Sequence, residues 1–273
     1  MGTLFLVSTP IGNLEDVTLR ALRVLSEVDV IAAEDTRHTK KLLNRYEIQT
    51  PLLSYHDHNE AARLQVMLDH LLRGSVALVS DAGTPLVSDP GFKLVRAAAA
   101  AGHEVSPIPG PSAPMAALVA SGLPTDAFVF LGWLPRKAGQ RERAVQELAS
   151  ERRTMVAMEA PHRLRETLLN LEQVFGPERQ IAVCRELTKQ YEEVVRGSLS
   201  EVREQFEREE PRGEITLVIG GADWMSEWDE ASVREVVSRR ISEGMKRSEA
   251  ARQVAAETGW PRREVYKLAE EGE

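Results

Sequence analysis

Cysteine occurs once in the 273 residues, at Cys184. That excludes an internal disulfide and a cysteine-built zinc cluster, and it fits the reducing cytosol. Long apolar runs are missing as well, and nothing approaches the ~20 residues of a membrane-spanning helix. The opening MGTLFLVSTP carries no basic leader and reads as a first strand, so no signal peptide is expected. Positive charge is in deficit. At −8 the chain has no global attraction for nucleic acid, and any such surface must be local. Also absent are a fixed-period repeat, the GxGxxG spacing of dinucleotide folds and the lysine-bearing loop of nucleotide triphosphatases.

What is present alternates. The length suffices for two core-bearing domains. Over the first ~120 residues, TLFLVS, DVIAAE, PLLSY, VALVS and EVSPIP read as strands separated by helical spacing, the pattern of a parallel α/β sheet. Val17, Ala21, Val24 and Val28 mark one helix, and Leu64, Met67, Leu68 and Leu71 another, with Asn59 expected as its cap. GLPTDA, Gly122 to Ala127, reads as a linker. A second set follows: FVFLGW, RTMVAME, QIAVCREL, EEVVRGSL and EITLVIGG. Helices are expected around Arg141–Arg152 and Leu164–Phe175, with only a short segment between the last two runs, so the second sheet should be mixed. From about Trp228 the strands stop, and ASVREVVSRRI, SEAARQVAAETG and PRREVYKLAEE read as three short helices. The expected domains are 1–122, 123–225 and 226–273.

The informative loop is SDAGTPLVSDPG, Ser80 to Gly91, between a strand and a helix. It carries Asp81 and Asp89 and no Lys or Arg. Two carboxylates repel phosphate, so a ligand with a sulfonium or ammonium centre suits it better. Asp89, next to Pro90, is expected to cap the following helix, which leaves Asp81 as the contact. STPIGNL and PIPGPSAP are two more glycine-bearing turns after strands. Three such turns point to one crevice at the carboxyl edge of the sheet. AEDTRHTKK and SYHDHNE lie past strands too. There Arg37, His38, Lys40 and Lys41 either meet phosphates or form a solvated helix face. His56 and His58 flank Asp57, but no third partner has zinc spacing, so no metal is expected. MEAPHR and CRELTK place Arg and Glu at strand ends, for ion pairs or for ligands. Cys184 follows IAV and should be buried and inert.

In order, TPIGNL, AEDTRHT, HDHNE, SDAGTPLVSDPG, PGPSA, APHR, RELTK and RGE resemble one family, over about Thr3 to Gly221. They are similar to the ribosomal RNA small subunit methyltransferase I family, the 2′-O-methylating branch of the tetrapyrrole methylase fold. The resemblance implies two αβα domains of the class III methyltransferase type with a small helix-turn-helix-like tail. It implies S-adenosyl-L-methionine between the domains, against Pro10, Gly12, Ser80, Asp81, Ala82, Gly83, Thr84, Val87, Ser112, Ala113, Met158, Glu159 and Glu186. The implied substrate is a cytidine ribose in the decoding region of 16S rRNA, within the small subunit, acted on by a cytoplasmic homodimer. Substrate contacts are expected from Arg37, His56, His58 and Arg163, and from Lys246, Arg247, Arg262 and Arg263 of the tail. The tetrapyrrole branch carries a GxGPGD-like turn where this chain has TPIGNL, which favours RNA over a porphyrinoid.

A ribose hydroxyl is a poor nucleophile, so general-base help is expected. Asp35, His56, Asp57, Asp81 and Glu159 all qualify by position, and Asp35 or Asp57 is preferred because Asp81 serves the cofactor. Two other readings compete: a porphyrinoid methyltransferase, and a regulator whose tail reads DNA through PRREVYKLAEE. The tail window Arg234 to Lys267 holds nine Lys or Arg and five Asp or Glu, a local +4. It is either an RNA contact or a lid completing the second core through Val233, Val237, Val254 and Leu268.

Overall fold

In the computed structural model the described residues are 2–208, 211–222, 230–258 and 260–270. Five short apolar runs build the first sheet: β1 (Thr3–Val7), β2 (Val30–Ala33), β3 (Leu52–Ser54), β4 (Val76–Val79) and β5 (Glu104–Ile108). They lie in the order β3-β2-β4-β1-β5, all parallel. β2 and β4 are buried at every position, as a strand covered on both faces must be. Helices α1 (Leu19–Glu27), α2 (Thr36–Arg45), α3 (Glu60–Arg73) and α4 (Phe92–Ala100) make the crossovers. Thr18 caps α1, its Oγ1 accepting the Ala21 N–H at 3.0 Å.

Two expected caps are used differently. Asn59 precedes α3 but makes no cap bond to it; its side chain turns back to His56 and Ser54. Asp89 does not cap α4, because Gly91 occupies that position with φ +127°.

The second sheet holds β6 (Phe128–Trp133), β7 (Thr154–Glu159), β8 (Gln180–Arg185), β9 (Glu193–Ser198) and β10 (Ile215–Ile219), in the order β6-β7-β10-β8-β9. Only β6 and β7 are parallel, so the sheet is mixed. Helix α6 (Ala138–Glu147) ends earlier than expected, and α7 spans Leu164–Phe175. The segment between β9 and β10 is not short and plain: it contains α8 (Leu199–Arg208), whose Leu199, Val202 and Phe206 are buried.

Helix α5 (Ala113–Ser121) follows the first sheet in sequence yet packs on the second. Its Ala117 and Leu118 share a core with Val156, Ala182, Cys184 and Val218. Arg196 of β9 donates to Ala120 O and Ser121 O, fastening the end of α5. A loop of the first sheet is thereby continued directly into the second unit.

The tail forms α9 (Glu230–Ser242), α10 (Arg247–Thr258) and α11 (Arg262–Glu270). Val233, Val237, Val254 and Leu268 pack with one another in a core of the tail's own, and not into the second sheet's core. Trp228 and Gly259 lie outside the described residues. No helix among the described residues is long and apolar enough to cross a membrane.

Candidate active site between two sheet edges

Each of the five first-sheet motifs leaves a carboxyl end: TPIGNL after β1, AEDTRHT after β2, HDHNE after β3, SDAGTPLVSDPG after β4 and PGPSA after β5. Three of these loops are stitched together. Thr9 and Gly83 exchange backbone hydrogen bonds of 2.9 and 3.0 Å. Ser8 Oγ lies 3.0 Å from Thr84 Oγ1, and that hydroxyl donates to Pro111 O at 3.2 Å. Thr9 Oγ1 donates to Ser80 O at 3.3 Å. Gly83 sits at φ +80°, where glycine alone is unstrained. A Cβ there would meet only Ile11 at 3.4 Å and Pro111 O at 3.8 Å. Its face is a bare backbone surface for a ligand to approach.

On this loop and its neighbours four carboxylates face one another, with Arg37 close enough to feel Asp81 but paired to Asp35. Asp81 Oδ1 accepts the Asp35 N–H at 2.9 Å. Burial, then the charges of Asp89 and Asp81, raise the Glu34 carboxyl above its ordinary value. Burial pushes Asp89 up to about 6; a bond from Ser80 opposes the rise, and Asp81 and Asp57 add to it. None of Glu34, Asp57, Asp81 and Asp89 pairs with a Lys or Arg among the described residues. Asp35 differs. It caps α2 through the Arg37 N–H at 2.8 Å and holds the Arg37 guanidinium at 2.7 Å. Those bonds keep its carboxyl far below the usual range.

His56 and His58 lie edge to face, with ring centroids 6.0 Å apart. Asn59 Oδ1 accepts the His56 N–H at 2.9 Å, so its amide nitrogen is the group 3.1 Å from His56 Nε2. Nε2 must then accept, which puts the ring proton on Nδ1. That Nδ1 is buried and has no partner among the described residues. No group of three His, Cys, Asp or Glu is placed to hold a metal among them either.

The second sheet brings its own motifs to one edge. Because β10 runs against β7 and β8, Ile215 faces both Glu159 and Arg185, so MEAPHR, RELTK and RGE converge. Here the charges are consumed. Glu159 is fully buried and accepts from Arg163 at 2.5 Å, Thr167 Oγ1 at 2.6 Å and the Ala160 N–H at 2.7 Å. Glu186 accepts the Glu214 N–H at 3.0 Å and Lys189 Nζ at 2.9 Å, which lowers its pKa in that order. Arg185 pairs with Glu193. Met158 is half-buried between Trp133 and Thr216. Burial pushes the Cys184 thiol up to about 11, so it is no nucleophile.

The two edges touch. The Asn13 N–H donates to Thr188 Oγ1 at 3.1 Å, and a Cβ on Gly12 would lie 2.4 Å from Lys189 Cγ. Non-glycine residues with positive φ fall mostly in these loops: Leu86 and Ser88 on one side, Glu186 and Thr188 on the other. Such conformations cost about 1–3 kcal/mol each and persist where the surroundings fix them, commonly at ligand sites. Pro10, Ala82, Val87 and Ser112 lie in the stitched loops, Ala113 opens α5, Arg37 is in the first turn of α2, and His58 lies in the loop after β3. The tail residues Lys246, Arg247, Arg262 and Arg263 sit on a separate helical unit. Trp133, Arg136 and His162, also at this edge, were not singled out from sequence.

A parallel sheet joined to a mixed one, with motif loops meeting between them, is a known arrangement. The family of Tetrapyrrole (Corrin/Porphyrin) Methylases matches residues 3–203. Among solved structures, the cobalt precorrin-4 methyltransferase CbiF has a TM-score of 0.61 at 15% identity, covering 80% of this chain and 94% of that one. Uroporphyrin-III C-methyltransferase from Thermus thermophilus, complexed with S-adenosyl homocysteine, has a TM-score of 0.55 at 22% identity, covering 80% and 97%. These likenesses fix the fold as that of a tetrapyrrole methylase. Closer relatives span the whole chain. The ribosomal RNA small subunit methyltransferase I of a Synechocystis species is 50% identical, over 98% of each chain. Those of Halalkalibacterium halodurans and Bacillus subtilis are 46% and 44% identical, over 98% and 97% of this chain and 94% and 93% of theirs. The chain belongs to the ribosomal RNA small subunit methyltransferase I family, and is a methyltransferase dependent on S-adenosylmethionine.

Proposed function

We propose that the chain methylates the 2′-oxygen of a cytidine ribose in the decoding region of 16S rRNA, within the small ribosomal subunit, as a cytoplasmic homodimer. The observation that carries the reading is the bare Gly83 backbone on the loop that also brings Asp81 and Asp89 against Glu34 and Asp57, four carboxylates with no ion pair among the described residues. That donor set fits a sulfonium and an ammonium and rejects a phosphate. When bound, S-adenosylmethionine supplies an electrophilic methyl group. Ser80 to Thr84, with the main chain of Pro10, Gly12, Ser112 and Ala113, would hold it, and Met158 would close the second-sheet side. Glu159 and Glu186 shape their loops through internal bonds.

Asp57 takes the proton from the 2′-hydroxyl in this scheme. Asp35 is the weaker base, because its pair with Arg37 stabilises the ionised form. General-base help is worth ~10²–10⁴-fold. Holding the hydroxyl in line with the methyl group contributes more, ~7–11 kcal/mol of barrier.

The porphyrinoid reading draws on fold likeness at 15–24% identity, whereas the rRNA enzymes are 42–50% identical. The regulator reading draws on the tail alone. The tail's separate core and its exposed Lys246, Arg262 and Arg263 support an appended RNA contact over a lid. Met115 and Val119, exposed on one face of α5, support self-association, which sedimentation can test. The deciding experiment is incubation with radiolabelled S-adenosylmethionine and 30S subunits, free 16S rRNA or duplex DNA. Label in 16S rRNA, resistant to alkaline cleavage at one cytidine, is expected; label in none of the three would retire the reading.

A further inference from the structure

The register of β6 against β7 slips between Phe130 and Gly132, and Gly132 takes φ +66°. A bulge of this kind re-aims the side chain that follows it, commonly beside active sites. Here the following residue is Trp133, whose indole is left 52% exposed at the strand end. It borders a concavity of about 580 Å³ lined by Trp133, Leu134, Arg136, Ala160, His162 and Arg163. Arg136 and His162 are exposed and make no ion pair among the described residues. Arg163 is anchored by Glu159 and by Leu134 O at 3.4 Å, while its Nε is buried with no hydrogen-bond partner among the described residues. The concavity adjoins the crevice, since a Cβ on Gly132 would lie 3.3 Å from Ser88 Oγ.

This chemistry is the reverse of that around Gly83. A sulfonium donor without phosphate gains nothing from the Arg136 guanidinium, which makes no ion pair among the described residues. An unpaired nucleotide gains twice, because its base stacks on an aromatic face and its phosphate meets the Arg136 guanidinium, with the exposed His162 imidazole beside it as a hydrogen-bonding group. A lone exposed tryptophan needs no explanation, but one turned out by a bulge beside an unpaired arginine and the crevice does.

We infer that a nucleotide flanking the methylated ribose docks here, its base on Trp133 and its phosphate against Arg136 and His162. The inference rests on the RNA reading above. It is tested with Trp133→Ala, Trp133→Phe and Arg136→Ala, using 30S subunits and a single-stranded RNA oligonucleotide spanning the target cytidine. Trp133→Ala should weaken RNA binding and raise KM about ten-fold, with kcat and donor affinity unchanged, and Trp133→Phe should recover most of the loss. Arg136→Ala should flatten the salt dependence of RNA binding by about 0.7 in log–log slope. Its side chain is exposed, so it keeps the test open should Trp133→Ala fold poorly. Wild-type RNA affinity in both alanine variants overturns the inference and leaves the RNA reading intact. A loss of donor affinity in place of RNA affinity overturns it too, by making the hollow part of the donor site. A wild-type protein that neither binds nor methylates RNA overturns both.

Discussion

The two motif-bearing edges contain similar numbers of acidic side chains and use them in opposite ways. On the first sheet, Glu34, Asp57, Asp81 and Asp89 face one another, and two of them are driven toward protonation by burial and by each other. On the second, Glu159, Glu186 and Glu193 each hold an Arg or Lys. Paired charge at a strand end fixes loop shape; like charge left unpaired costs stability until a cation arrives. The difference supports reading the first edge as the place for a ligand and the second as its frame.

Breaking each kind of site should therefore give opposite readouts. Asp57→Ala should lower kcat by ~10²–10⁴-fold while donor affinity stays near wild type, as loss of a base requires. Asp35→Ala should instead lower stability through the lost cap, read by denaturant titration, with a smaller effect on turnover. Wild-type rates in Asp57→Ala would move the base elsewhere. Glu159→Gln strands Arg163 in a buried setting and should cost ~3–5 kcal/mol of stability, read by denaturant titration, with donor affinity of the folded protein retained. Gly83→Val should weaken donor binding at least about 100-fold, or ~2.7 kcal/mol, because the β-branched side chain fills the bare face. Undiminished binding would displace the donor from that loop.

A pH series sharpens the comparison further. The Asp89 carboxyl is raised in the folded protein, so the native state binds more protons than the unfolded one between about 4 and 6. Stability of the ligand-free protein should fall as pH rises through that window, and Asp89→Asn should flatten the fall. Donor affinity should move the other way, strengthening as Asp89 ionises above about 6. The smallest effect concerns the tail. Because α9–α11 carry their own core, a chain of residues 1–222 should keep its melting temperature and donor binding. It should lose RNA affinity with a shallower salt slope. A large drop in melting temperature would restore the lid.

All ten strands were legible because a doubly covered sheet demands short unbroken apolar runs, as VIAA and VALV are. Helix α8 was missed although Leu199, Val202 and Phe206 have the spacing of an amphipathic helix, because the segment between two strand-like runs reads as their short connection. Among site features, the acidity of SDAGTPLVSDPG was plain, but the role of Asp89 was not. Its proximity to Pro90 suggested a cap, and only the fold shows Gly91 there and Asp89 turned to Ser80. The pairing of Glu159 with Arg163 was one of two open readings, decided by burial that no local pattern encodes. Trp133 escaped notice because a bulge at Gly132, invisible in FVFLGW, is what turns it outward.

In the proposed site, unpaired acid on the first edge holds the donor, while paired acid on the second only shapes its loops. Calorimetric titration of S-adenosylmethionine into Asp81→Asn and Glu186→Gln tests this side by side. Asn at 81 keeps an acceptor for the Asp35 N–H, so the substitution removes charge and leaves the loop in place. Asp81→Asn should lose about ten-fold or more in affinity, ~1.4 kcal/mol, while Glu186→Gln should stay within about two-fold of wild type. Full affinity in Asp81→Asn together with a large loss in Glu186→Gln would contradict this division of roles.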